Sequence, residues 1–209
     1  RDQVLQVTAP FKDAPAEVAK TEWRYAGVSF TEKGVGLLSE SDRVSRRVRT
    51  WILEPGATPR KLWDRRQDAA YENPGTPVVR DSGGGGGFGG FGGGGGAIMQ
   101  TGDSIFLTGV GSSPEGDRPF IDRLNLKTLA TERLFRSDDK SYETVVAPID
   151  AEGKTLLTRA ESPFEPPNYF VRDLAANSKR AATAFVDPQP QLRGVRHQLV
   201  TYARKDGVK

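Results

Sequence analysis

Short apolar runs separated by turn residues dominate this chain. From Trp23 the sequence reads WRYAGVSFTEKGVGLLSES: two runs joined by a turn carrying Gly34. From Tyr142 it reads YETVVAPIDAEGKTLLTRAES, with Gly153 at the turn. Both have the form of a β-hairpin. A slide of 119 residues lays Tyr142 on Trp23, Gly153 on Gly34 and Leu156-Leu157 on Leu37-Leu38. A third copy, AIMQTGDSIFLTG, places Phe106-Leu107 at the same point. Each hairpin is followed by a second one. Leu53 precedes Trp63 across EPGATP, Leu126 precedes Phe135 across KTLATE, and Leu174 precedes Phe185 across AANSKR. The one stretch with any helical period is DAPAEVAK, residues 13–20.

Four short strands, occurring three times, are the signature of propeller blades. The fold class expected is all-β: a partial β-propeller of about three four-stranded antiparallel blades, part of a larger propeller. An ordinary antiparallel sandwich is the competing reading. The expected organisation begins with residues 1–22, the end of a preceding blade and a connection. Blades follow at 23–68, 69–140 and 141–190. Residues 191–209 form an exit strand. Three blades do not close a ring, and open blade faces leave strand edges bare. The chain therefore reads as a segment of a longer protein.

The second blade carries a glycine run. Twelve of the fourteen residues 83–96 are glycine, the others being Phe88 and Phe91. A phosphate-binding loop would need a helix after it, often opened by Lys-Ser or Lys-Thr. Here AIMQTGDS follows, without lysine and with a strand-like pattern. An RNA-binding glycine-rich tail would mix in arginine, and this run holds none. The expectation is a mobile loop without chemistry inside a blade, since loop closure entropy grows slowly with length.

Charge adds little. Thirty Lys and Arg against 27 Asp and Glu leave a net charge of +3, with the two signs interspersed. Nucleic-acid binders concentrate cations on one face, so no nucleic-acid partner is expected. Arg43, Arg46, Arg47 and Arg49 read as a solvated strand edge that discourages wrong pairing. The absence of cysteine removes disulfide and thiol chemistry. It fits a reducing compartment without fixing one. No run approaches the ~20 apolar residues of a membrane helix, and no membrane partner is expected.

The chain lacks a GxSxG nucleophile elbow. Ser112-Ser113, in GVGSSPEGD, has the wrong spacing for one. The single histidine, His197, has no evident partner. In DAEGKTLLTRAE, Gly153 falls at position four where a calcium loop needs it at six. Glu161 and Glu165, in ESPFEPP, read as groups that order a proline-rich loop. No catalytic residue, metal or cofactor is expected in this segment.

Three stretches resemble a known family. They are KLWDRRQDAAYENPGTPV (61–78), GVGSSPEGDRPFIDRLNLKTLATERLFRS (109–137) and LTRAESPFEPPNYFVRDL (157–174). Together they are similar to the propeller of the glutamyl endopeptidase branch of the prolyl oligopeptidase family of serine peptidases, known in chloroplasts and bacteria. DPQPQLRGVRHQLVTYARKDGVK (187–209) resembles that family's exit from the propeller, through a strand at 198–204 and a KDG turn. The glycine run departs from the family, where an ordinary hairpin would stand.

The resemblance implies a parent of propeller plus α/β-hydrolase domain, with the Ser-Asp-His triad beyond this segment. It implies a non-catalytic propeller that admits peptides and excludes folded proteins. The expected partners are the peptide substrate and the chain's own hydrolase domain. A glutamyl-preferring site wants a guanidinium. Arg118 in EGDRPF and Arg159 in TRAES are the candidates, each with a nearby carboxylate, Asp117 and Glu161, that offers it a structural pairing instead. The alternative function is a non-catalytic propeller for protein interaction.

Overall fold

The computed structural model describes residues 2–80, 96–193, 195, 198 and 200–207. It is nearly all-β. A hairpin comes first, β1 (Gln3–Gln6) with β2 (Ala16–Lys20). A four-stranded antiparallel sheet follows: β3 (Arg24–Phe30), β4 (Gly36–Asp42), β5 (Arg47–Leu53) and β6 (Arg60–Arg66). The middle sheet contains β7 (Thr76–Pro77), and beyond it come the short strands β8 (Val79–Arg80), β9 (Ala97–Ile98) and β10 (Gln100–Thr101). Its three longer strands are β11 (Ser104–Gly109), β12 (Phe120–Asn125) and β13 (Thr131–Arg136). The last sheet is β14 (Tyr142–Pro148), β15 (Thr155–Glu161), β16 (Asn168–Asp173) and β17 (Ser178–Ala181). Its strands lie side by side in chain order, as do those of the first four-stranded sheet.

Successive sheets stack face to face, as propeller blades do. Ala19, Leu38 and Leu53 join the hairpin to the first blade, with Val4 packed against them. Leu37 and Ile52 of the first blade meet Ile105, Leu107 and Leu124 of the second. Phe106 and Ile121 of the second meet Leu156 of the third. Each fully buried side chain of this size stabilises the fold by roughly 1.5–3 kcal/mol relative to exposure. The core therefore lies between sheets as a series of seams. The fold is a partial β-propeller.

The repeat extends to local irregularities. In β6 the register passes from Lys61 to Trp63, leaving Leu62 as a bulge. In β13 it passes from Arg133 to Phe135, leaving Leu134 as a bulge. Each bulge delivers two adjacent apolar residues to one seam: Leu62 with Trp63, and Leu134 with Phe135. A bulge bends its strand and increases its twist, which suits the outer strand of a blade.

The second blade has a split first strand. β7 and β10 both pair with β11, at opposite ends of it. Between them the Val78 amide donates to Phe106 O and the Met99 amide to Val78 O, each at 2.9 Å. β8 and β9 leave this point as a paired hairpin, Val79 opposite Ile98 and Arg80 opposite Ala97. The stem leans on the first blade. Thr31 bridges Ile98 in parallel. Glu32 accepts from Arg80 Nε at 2.5 Å and from the Gln100 amide at 3.2 Å. The expected loop at 83–96 falls, except for Gly96, outside the described residues.

Four expectations are corrected. Residues 13–20 do not form a helix: Ala16–Lys20 is a strand, because pairing with β1 and burial of Ala19 override a weak helical period. Arg47 and Arg49 are not on an edge, since β5 lies between β4 and β6. They are ion-paired: Arg47 Nη2 reaches Asp64 at 2.7 Å, and Arg49 Nη1 reaches Glu22 at 2.7 Å. Phe185 lies beyond the last strand and is exposed. After Ala181 the ladder gives way to side-chain bonds, with Asn168 Oδ1 accepting from Thr183 Oγ1 at 2.8 Å and from the Phe185 amide at 2.7 Å. Among the described residues of 198–204 there is no strand, because no partner strand pairs with them there. The KDG turn does form: the Gly207 amide donates to Arg204 O at 2.9 Å.

Candidate functional site

Three loops meet at one end of the second and third blades: 110–119, 137–141 and 162–167. With residues 187–193 they enclose a cleft of about 1050 Å³. The first loop is the tightest. Its Arg118 amide donates to Gly111 O at 3.0 Å, and Ser113 and Gly116 exchange backbone bonds of 3.0–3.1 Å. Gly111 has φ +63°, and a Cβ there would lie 2.0 Å from Arg118 O. Only glycine fits a backbone approach of that kind. The Ser137 amide donates to Pro119 O at 2.8 Å, tying the second loop to the first.

The cleft lining holds seven carboxylates and four cations. Most of the carboxylates are already compensated. Ser112 Oγ donates to Asp117 at 2.7 Å, and Ser113 Oγ to Glu115 at 3.0 Å. Asp138 accepts the Lys140 and Ser141 amides, both at 2.9 Å. Burial pushes the Asp138 carboxyl up, but those amide bonds outweigh it and hold the group below its usual range. Asp187 is held low by the Gln189 amide and then by Arg193, whose Nε lies 2.9 Å away. Tyr142 also lines the cleft. Burial raises its phenol, and the charges of Asp117 and Glu161 add to that, with Arg159 opposing.

The structure separates the two candidate arginines. Arg118 lines the cleft. Among the described residues its ion-pair partner is Asp139, not Asp117, at 4.0 Å, and the Asp139 side chain is 75% exposed. Arg159 is not among the lining residues. Its Nη2 holds Glu161 Oε2 at 2.9 Å across two positions of β15. Glu161 and Glu165 both line the cleft. The Glu165 amide donates to Ser162 Oγ at 3.1 Å, which orders the proline-rich loop. His197 lies outside the described residues. Among the described residues, no group of three potential metal ligands is found, and no helix is long and apolar enough to cross a membrane.

Sequence reasoning missed one buried carboxylate in each blade. Glu40, Asp122 and Glu143 are all at or below 5% exposure. Glu40 accepts the Glu22 and Trp23 amides and Trp51 Nε1, at 2.8–3.0 Å. Arg49 stacks over Trp23 at 3.7 Å. Asp122 binds Arg133 through both oxygens, and Arg133 stacks over Phe120 at 4.3 Å. Glu143 receives Thr158 Oγ1 at 2.6 Å, and both Arg172 and Lys179 at 2.9 Å. The available signal was an arginine within reach of both an acid and an aromatic on neighbouring strands. These carboxylates tie together strands of their own blades, and none of the three lines the blade-end cleft.

Sequence comparison agrees with the geometry. The chain is 32% identical over 209 residues to a probable chloroplastic glutamyl endopeptidase of Oryza sativa subsp. japonica. It is 31% identical to one of Arabidopsis thaliana. Each match covers 94% of this chain and 22% of the relative, so the chain spans about a fifth of the length of these proteins. No family model matches. Among solved structures, TolB from Acinetobacter baumannii overlaps 87% of this chain and 37% of its own, at 14% identity and a TM-score of 0.40. With its stacked four-stranded sheets the chain is a propeller segment, and along nearly its whole sequence it is similar to part of the glutamyl endopeptidases.

Proposed function

We propose that this chain is the non-catalytic propeller part of a serine endopeptidase, where it restricts access so that peptides enter and folded proteins do not. One observation carries the reading: identity of 31–32% along 94% of the chain to two proteins described as probable glutamyl endopeptidases. The nucleophile and its histidine belong to a hydrolase domain elsewhere in the parent, and acyl transfer takes place there. The blade-end cleft is the surface that an extended peptide crosses. Arg118 is the group in it that meets an acidic side chain. Arg159 serves through Glu161, whose position it fixes.

The test uses the full-length protein. A fluorophosphonate probe is expected to label its active serine, and short Glu-containing peptides to be cleaved while a folded protein of the same composition is not. The 209-residue chain alone is expected neither to take the label nor to cleave peptides. Absence of labelling on the full-length protein removes the serine-peptidase reading in favour of an interaction scaffold. Equal cleavage of folded and unfolded substrates removes the access role.

A further inference from the structure

Arg118 has a neighbour that the sequence did not single out. Arg136 ends β13 and lines the same cleft. It lies opposite Phe120 in the ladder, and the Ser137 amide bonds Pro119 O. The backbone thus sets residues 118–120 beside 136–137. Among the described residues, the Arg136 guanidinium has no ion pair or hydrogen bond. Arg43 and Arg180 are likewise without one, but neither lines the cleft. Arg47, Arg49, Arg123, Arg159, Arg172 and Arg193 all hold a carboxylate at 3.0 Å or less.

The cleft is therefore asymmetric. Its acids are largely satisfied by serine hydroxyls, backbone amides and their own arginines. Two of its guanidiniums are not: Arg118 has one long contact to an exposed acid, and Arg136 has none. Each offers a planar fork of N–H donors matched to a carboxylate.

We infer that Arg118 and Arg136 together form a subsite for a single peptide carboxylate, an inference that rests on the reading of this cleft as a peptide-crossing surface. The surrounding acids sharpen the selection. One carboxylate exchanges water for two guanidiniums. A second acid on the same peptide meets the carboxylates that crowd the lining, and like charges at short range repel. The subsite thus favours an isolated acidic residue over an acidic run.

The experiment measures binding to the full-length protein after fluorophosphonate treatment, by fluorescence anisotropy. The probes are short labelled peptides with one Glu among neutral residues, the Glu stepped along the sequence, each with its Gln twin. Wild-type protein is expected to prefer Glu over Gln at one position by about tenfold or more. Arg136→Gln and Arg118→Gln each abolish most of that preference without weakening the Gln peptide. Arg136→Lys keeps part of it, and Arg180→Gln, on the last strand, changes nothing. A peptide with two adjacent Glu binds no tighter than the single-Glu peptide. A Glu preference that survives Arg136→Gln overturns the inference, as does equal affinity of wild type for the twins or failure to bind either. Binding is read without hydrolysis, so the two proposals fail separately. Labelling without Glu preference overturns the subsite alone. A preference lost in Arg136→Gln without labelling supports the subsite and removes the peptidase.

Discussion

Arg172 Nη2 lies 2.9 Å from Glu143 Oε2 in the third blade, and the same guanidinium stacks 4.8 Å from the ring centre of Phe135 in the second. One side chain thus neutralises a buried acid and closes the seam between two blades. Replacing Glu143 with Gln leaves Arg172 and Lys179 facing a neutral group inside the protein. Breaking a buried pair from one side costs about 3–5 kcal/mol. Glu143→Gln is expected to lower the unfolding free energy of the full-length protein by an amount in that range, seen as a lower urea midpoint in unfolding followed through tryptophan fluorescence. A midpoint within experimental error of wild type contradicts the role.

The same carboxylate gives a pH dependence. Burial raises the Glu143 carboxyl, but bonds from Arg172, Thr158 and Lys179 outweigh burial and hold it below its ordinary value. A group whose folded pKa is depressed contributes stability above its unfolded value, about 4.3. That contribution is lost as pH falls through the lower, folded value. Wild-type stability is expected to drop more steeply than that of Glu143→Gln between about pH 5 and 3. Thermal melts across that range check it, and parallel curves would refute it.

Gly111 makes the cleft loop possible. Its left-handed backbone and the missing Cβ together let Arg118 O approach. Gly111→Ala introduces both a strained φ and a collision with backbone, at a cost of about 1–3 kcal/mol. The loop must then open, and Arg118 moves with it. The expected outcome is loss of single-Glu peptide binding at a small change in global melting temperature. Binding equal to wild type would show that the loop's shape does not matter.

Glu32 fastens the hairpin stem of the second blade to the first. Its carboxylate is held low by Arg80 and then by the Gln100 amide. The pair is exposed, so its effect on global stability is small. Glu32→Ala is expected to speed hydrogen exchange at the Gln100 amide severalfold while amides of β11 and β12 stay protected. Unchanged exchange at Gln100 would contradict the fastening.

The propeller repeat was legible because apolar side chains at matching positions report a shared seam. Leu37-Leu38, Phe106-Leu107 and Leu156-Leu157 fall on the strand in second position of each blade. Glycines 34 and 153 mark equivalent turns, both with positive φ. The buried acids were not legible. In an alternating pattern, Glu40 and Glu143 look like residues that face water, and only their partners on other strands make burial tolerable. The strand at 16–20 was obscured by alanine, which favours helix until a neighbouring strand competes for its backbone. Arg118 was legible through its loop motif. Arg136 was not, because nothing in its local sequence tells which of the arginines left without a carboxylate partner lies at the cleft.

The split first strand of the second blade has a practical corollary. β7 and β10 keep the ladder to β11 intact, and β8 and β9 bring the intervening polypeptide out and back as neighbours. The sheet therefore does not register how much chain lies between Arg80 and Ala97. A fluorescent reporter or an affinity handle spliced in at that junction is expected to leave the ladder between β10, β11 and β7 in register.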